Sequence, residues 1–157
     1  IINTLQYTIP INEWQLNDAV NLFNEYANSL NISLDFQNFT EELNIINSMY
    51  GSPTGCLLLV YEQEEAVACA AYRKIGDGIC ELKRMYIKPN YRRKGIGQKL
   101  VDLLCEKAKQ NGYYLMRLDT LDSMLPALHL YRSNGFKDIA AYYHNPNDGV
   151  VYMEKQL

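Results

Sequence analysis

Glu81-Leu82-Lys83-Arg84-Met85-Tyr86-Ile87-Lys88-Pro89-Asn90-Tyr91-Arg92-Arg93-Lys94-Gly95-Ile96-Gly97 is the stretch whose reading decides the fold. A strand-like run ends at a proline, passes through a basic loop and closes on two glycines. These open an amphipathic helix from Gln98 to Gln110. Strand, turn and helix start in that order aim several backbone N–H groups at one point, and the positive end of the helix dipole adds to them. The pattern is an anion cradle, and a phosphate ester is its natural guest.

Spacing separates the motifs that compete for this loop. A P-loop needs GxxxxGK followed by Ser or Thr, but Gly95 and Gly97 are separated by one residue and Lys99 is followed by Leu100. A dinucleotide fingerprint needs a third glycine where Leu100 stands, and a second βαβ half that does not follow. Arg92-x-x-Gly95-x-Gly97 remains. It resembles the coenzyme A pyrophosphate loop of the GNAT acetyltransferase superfamily. Ala127-Leu128-His129-Leu130-Tyr131-Arg132-Ser133-Asn134-Gly135-Phe136 is similar to that family's second signature, A-x-x-L-Y followed after three residues by G-F. The resemblance covers roughly residues 55 to 157.

The rest of the chain fits around these signatures. Its 157 residues and 48% hydrophobic content suit one domain spanning 1–157. Apolar periodicity predicts helices over Asp18 to Leu30 and Phe36 to Tyr50, then a meander of strands at Cys56 to Tyr61, Ala66 to Ile75 and Ile79 to Ile87. After the cradle helix, a strand is expected at Tyr114 to Thr120 and a helix at Met124 to Asn134. A strand pair at Lys137 to Tyr142 and Val150 to Lys155 follows, and a first strand is expected at Leu5 to Ile9. The fold class is α/β; the resemblance implies a GNAT-type mixed, mostly antiparallel central sheet flanked by helices on both faces.

Charge and cysteine usage exclude several function classes. A net charge of -3 argues against a nucleic-acid binder, which needs a basic footprint. Yet Lys83, Arg84, Lys88, Arg92, Arg93 and Lys94 fall within twelve residues free of acids, a local patch suited to a small polyanion. The longest apolar run, Cys56 to Tyr61, is far short of the roughly twenty residues that span a bilayer. Cys56, Cys69, Cys80 and Cys105 lack metal-ligand or CxxC spacing, so no metal is expected and the thiols read as buried and reduced in a cytoplasmic protein. The two histidines, His129 and His144, have no nucleophile partner in a recognised motif and read as surface or loop residues.

The resemblance implies acetyl-CoA as co-substrate and transfer of its acetyl group to an amine. An alkylammonium with a pKa near ~10 must shed a proton before it can attack. Glu81 is the candidate base: it lies eleven residues before Arg92, the interval that holds a catalytic glutamate in the family's histone-acetylating branch. A glutamate merely paired with Lys83 is the alternative. Tyr131, the tyrosine of the second signature, is the candidate acid for the departing thiolate; a packed core tyrosine is its alternative. The resemblance places Met85, Tyr86 and Ile87 along the pantetheine arm. It sets Arg92, Arg93, Lys94, Gly95, Ile96, Gly97 and Gln98 around the pyrophosphate, mostly through main-chain N–H. Where many relatives carry an asparagine ahead of the second signature, this chain has Met124.

For the acceptor, Asp119 is a candidate ammonium partner and Tyr72 and Tyr143 candidate walls, with Trp14, Tyr26, Tyr142, His144 and Asn145 as further lining. A small-molecule primary amine or amino-acid-like acceptor is expected, with no membrane and no nucleic acid, and homodimers are common among similar proteins. Three other readings stay open: a non-catalytic coenzyme A sensor, an interaction module, and a protein lysine acetyltransferase.

Overall fold

The structure, a computed structural model, describes residues 4–30, 33 and 38–157. Its elements in chain order are β1 (Leu5–Thr8), α1 (Glu13–Ser29), α2 (Phe39–Asn44), α3 (Ile46–Tyr50), β2 (Cys56–Glu62), β3 (Glu65–Gly76) and β4 (Ile79–Ile87). They continue with α4 (Ile96–Gln110), β5 (Leu115–Leu121), α5 (Leu125–Ser133), β6 (Lys137–Ile139) and β7 (Val150–Gln156). One seven-stranded sheet runs β1-β2-β3-β4-β5-β7-β6. It is the mixed α/β sheet expected from the sequence.

Strand β2 shows why the sheet is covered on both faces. Every residue from Cys56 to Tyr61 is buried, as a strand between two helical layers requires. Alternation sends Cys56, Leu58 and Val60 into a core with Leu100, Leu104 and Leu128 of α4 and α5. Leu57, Leu59 and Tyr61 enter a second core with Ala19, Leu22 and Phe23 of α1. Each fully buried Leu, Val or Phe contributes about 1.5–3 kcal/mol, so apolar burial fixes where α4 sits and with it the cradle at its start.

Two irregularities of β4 shape the site. The first is its pairing with β5, the sheet's parallel pair, which needs a crossover that α4 provides. Their register joins only Ile79↔Leu115, Cys80↔Met116 and Glu81↔Arg117, although β4 continues to Ile87 and β5 to Leu121. Beyond Glu81 the pairing stops, which leaves a cleft in the ladder between β4 and β5. The second is a bulge against β3. Cys69 pairs with Tyr86 and Ala71 with Lys83, so Arg84 and Met85 together oppose Ala70, and Arg84 adopts φ 58°. Such an extra residue bends its strand and re-aims side chains.

Three expectations need correction. The helix expected over Phe36 to Tyr50 is two short helices broken at Ile45, which has φ -119° and ψ 23°; Phe36 lies outside the described residues. Helix α1 begins at Glu13, earlier than its apolar stripe suggested, because the Asn12 side chain accepts a hydrogen bond from the Gln15 N–H and caps it. Strand β6 ends at Ile139 rather than Tyr142, because the chain leaves the sheet there and carries Tyr142 and Tyr143 over the cleft side.

Candidate active site

The cradle forms as the loop spacing implied. Gly95 takes φ 79° as the cap of α4, Arg93 takes φ 62°, and the first helical bond runs from the Lys99 N–H to the Gly95 carbonyl at 3.2 Å. Among the described residues, none of the N–H groups of Arg93 through Gln98 has a backbone acceptor. Six N–H donors of the loop and the first helical turn thus have no main-chain partner. The two glycines do different work. A side chain on Gly95 would meet nothing within 4 Å, so its face is open. One on Gly97 would stand 3.0 Å from Leu130 Cδ2 and 3.4 Å from Ile87 Cδ1, so that glycine lets α4 pack against β4 and α5.

Side chains of the loop mostly turn back onto the protein. Arg92 donates from Nε to the Ile87 carbonyl at 2.9 Å with its guanidinium over the Tyr86 ring, and the Lys94 ammonium lies over Tyr91. Gln98 and Asn134 exchange amide hydrogen bonds of 2.7 and 2.9 Å, tying α4 to the end of α5. The main chain is left as the cradle's lining.

Along the part of β4 beyond Glu81, Met85 and Ile87 face the α4 and α5 side and Tyr86 faces α1, where its ring lies 6.1 Å from Tyr26. Tyr131, on α5, is buried edge-on against Phe136 and directs its hydroxyl at Met85 Sδ, 3.8 Å away. Burial, reinforced by Tyr26 and Asp119, pushes its phenol above the ordinary value, so it stays protonated at neutral pH. Met124 accepts a weak contact from Thr120 Oγ1 at 3.7 Å, where an asparagine would offer an amide.

Glu81 is deeper than a surface partner of Lys83. It is only 2% exposed. Arg73 Nε sits 3.1 Å and Lys83 Nζ 3.9 Å from its Oε1, and the Tyr142 hydroxyl donates to its Oε2 at 2.6 Å. Beside it, Arg84 binds Glu42 of α2 through two bonds of 2.7 and 2.8 Å, with its guanidinium over Phe39. Burial alone would raise the Glu42 carboxyl; hydrogen bonds and charge from Arg84 outweigh it and hold the group below its ordinary value. Burial and the charge of Arg84 pull Lys83 down from 10.5 to about 8, against Glu81 and Glu42.

The Lys83 shift has a measurable consequence. Between pH 8 and 10.5 the unfolded chain keeps a proton that the folded protein has released, so stability contributed at this position rises with pH across that window. Below about 8 both states are protonated and the folded state bears the full cost of burying the ammonium. The stability difference between wild type and Lys83→Met should therefore move toward wild type by about 2–3 kcal/mol from pH 7.5 to 10. Urea unfolding at the two pH values checks this; an unchanged difference would contradict it.

Asp119 lies on β5 across the cleft. Its Oδ2 accepts from the Tyr143 hydroxyl at 2.6 Å and from Asn145 Nδ2 at 3.0 Å. Tyr142, Tyr143 and Tyr152 contact one another with centroids 5.4–5.6 Å apart, and Tyr152 donates to the Tyr143 carbonyl. Two successive tyrosines of one loop thus meet the two carboxylates that flank the opening. Tyr72 does not belong here. It is 0% exposed on the α4 face of β3, the opposite face from Glu81, and its hydroxyl accepts from Asn111 Nδ2 at 2.9 Å. Trp14 is 69% exposed on the first turn of α1, and both histidines are exposed. Sequence reasoning missed Arg73, Glu42 and the role of Tyr142. Only Arg73 had a signal, its register opposite Glu81 across the turn at Asp77 and Gly78.

Comparison with known proteins agrees with this fold. Residues 16–136 match the Acetyltransferase (GNAT) family. A relative from Schizosaccharomyces pombe, named only as an uncharacterised N-acetyltransferase, is 40% identical over 144 residues, covering 90% of this chain and 88% of the relative. An acetyltransferase structure from Streptococcus agalactiae superposes with a TM-score of 0.82 at 23% identity, covering all of both chains. PaiA N-acetyltransferase of Thermoplasma acidophilum, solved with coenzyme A, superposes at 0.72 with 17% identity over 98% of this chain and 99% of that one. The chain belongs to the GNAT family of acetyltransferases. It is an acyltransferase of the N-acetyltransferase type.

Proposed function

We propose that this enzyme moves an acetyl group from acetyl-CoA to the primary amine of a small molecule or amino-acid-like acceptor, by direct attack within a ternary complex. The observation that carries the reading is the run of open N–H groups from Arg93 to Gln98 at the mouth of a cleft that exposes β4 beyond Glu81. Those donors, the open face of Gly95 and the freed strand edge fit a diphosphate followed by an extended pantetheine arm. Coenzyme A in the Thermoplasma relative supports the same choice of guest.

Acetyl-CoA supplies an activated thioester carbonyl. Backbone groups of Met85, Tyr86 and Ile87 line its path, and Arg93 through Gln98 hold its phosphates. Glu81 takes up the proton that the acceptor ammonium must shed. Tyr131, kept protonated by burial, gives its proton to the departing sulfur. Asp119 and Tyr143 border the acceptor on the β5 side, where a carboxylate suits a cationic group. Four free cysteines, three of them buried, fit a reducing compartment such as the cytoplasm.

Coenzyme binding is tested by thermal unfolding. Acetyl-CoA at a hundred times its dissociation constant should add about 2.7 kcal/mol, and a thiol-release assay over a panel of amines should show turnover. Gly95→Val forces a β-branched side chain into φ 79° and fills the open face, so it should weaken acetyl-CoA binding at least about tenfold, or about 1.4 kcal/mol. No stabilisation of the wild type at saturating acetyl-CoA would reject the proposal.

A further inference from the structure

We propose that Tyr142 is a catalytic residue, a proton relay that takes the acceptor's proton at its phenol oxygen while passing its own to Glu81. This rests on the reading of Glu81 as the base. The difficulty it resolves is access. Glu81 is buried, and both of its oxygens are engaged: Oε1 by Arg73 and Lys83, Oε2 by Tyr142. Burial and these three partners leave an arriving ammonium little access to that carboxylate.

Chemistry decides which partner conducts. The Arg73 guanidinium does not give up a proton in proteins, so it can hold Oε1 but not relay to it. Lys83 is itself buried on the strand, not at the loop side, and stands at the longer distance of 3.9 Å. Tyr142 is half-buried, comes from the loop outside the sheet and bonds at 2.6 Å. A phenol is both donor and acceptor, so it can gain one proton as it loses another. The ammonium N–H breaks as a phenol O–H forms, and the original phenol O–H breaks as an Oε2–H forms. The acceptor becomes a neutral amine, Glu81 a carboxylic acid, and Tyr142 is unchanged.

The surroundings keep the relay neutral and oriented. Tyr142 meets Glu81 of β4, Arg117 of β5, Tyr143 of its own loop and Tyr152 of β7, and feels the charge of Asp119; Arg73 and Lys83 stand behind it on the other oxygen of Glu81. The Arg117 guanidinium lies over its ring at 5.4 Å and is itself held by Glu154 at 3.1 Å. Burial, then Glu81, raises the phenol far above its ordinary value, so it does not ionise at rest.

The test compares two small acceptors of similar shape, ethylamine and trifluoroethylamine, in the thiol-release assay with acetyl-CoA at pH 7. The first is almost wholly protonated there and must lose a proton; the second is largely neutral. Tyr142→Phe should lower kcat/KM for ethylamine about 100-fold or more and for trifluoroethylamine by less than about tenfold. Loss of folded protein scales both acceptors alike, so their ratio reads the relay even if the variant is less stable. Equal losses, or none, would overturn the relay while wild-type turnover kept the acetyltransferase reading. A wild type that turns over neither these amines nor any of the wider panel would sink that reading, and the relay with it.

Discussion

Truncating Glu42 to alanine should destabilise the protein by about 3–5 kcal/mol, a large part of the 5–15 kcal/mol that holds a domain of this size folded. Glu42 lies on a six-residue helix and is only 1% exposed, yet both of its oxygens bond the equally buried Arg84. Removing the carboxylate leaves a desolvated guanidinium without the charge that compensates it. Arg84 is also the residue with φ 58° at the β4 bulge, and its carbonyl accepts a weak bond from Cys69 Sγ at 3.2 Å. The pair therefore pins α2 to the point where β4 bends into the cleft. Glu42→Gln keeps one of the two acceptor oxygens but loses the charge and sets an NH2 donor against the guanidinium, so it too should destabilise the protein, by no more than the alanine variant. Urea unfolding measures both, and a loss below about 1 kcal/mol for the alanine variant would show that the pair is incidental.

Tyr131→Phe should lower turnover about 100-fold or more while leaving the stabilisation by acetyl-CoA intact. The ring packs edge-on against Phe136 inside the α4 and α5 core, and phenylalanine preserves that contact. Only the hydroxyl is lost, and it is the group aimed at Met85 on the freed edge of β4. A departing thiolate without a donor must leave as an anion in a buried cleft, which is why the effect should sit in kcat. Equal turnover would return Tyr131 to a packing role and leave the acid to another group.

The coenzyme half of this site is legible in the sequence because it is local. Strand, basic loop, Gly95, Gly97 and helix follow one another within thirty residues, and each glycine's position dictates a backbone feature that the structure contains. The second signature adds Tyr131 on its own helix. The acceptor half is assembled at long range. Tyr142 reaches Glu81 across 61 residues, Glu42 reaches Arg84 across 42, and Asn145 reaches Asp119 across 26. No periodicity encodes those meetings. Parity explains the misplaced Tyr72: one residue before Arg73 on β3, it points to the opposite face from the Arg73–Glu81 pair. The break at Ile45 has a similar cause, since the stripe through Leu43, Ile46 and Tyr50 is as compatible with two short helices as with one.

Amide resonances of the isotopically labelled protein during titration with coenzyme A test the central claim most directly. The account predicts that the largest shifts fall on Arg93 through Gln98, whose N–H groups have no backbone acceptor, and on Met85 through Ile87 along the open edge of β4. Saturation that leaves both segments unmoved, or that moves a different face of the sheet, would contradict it.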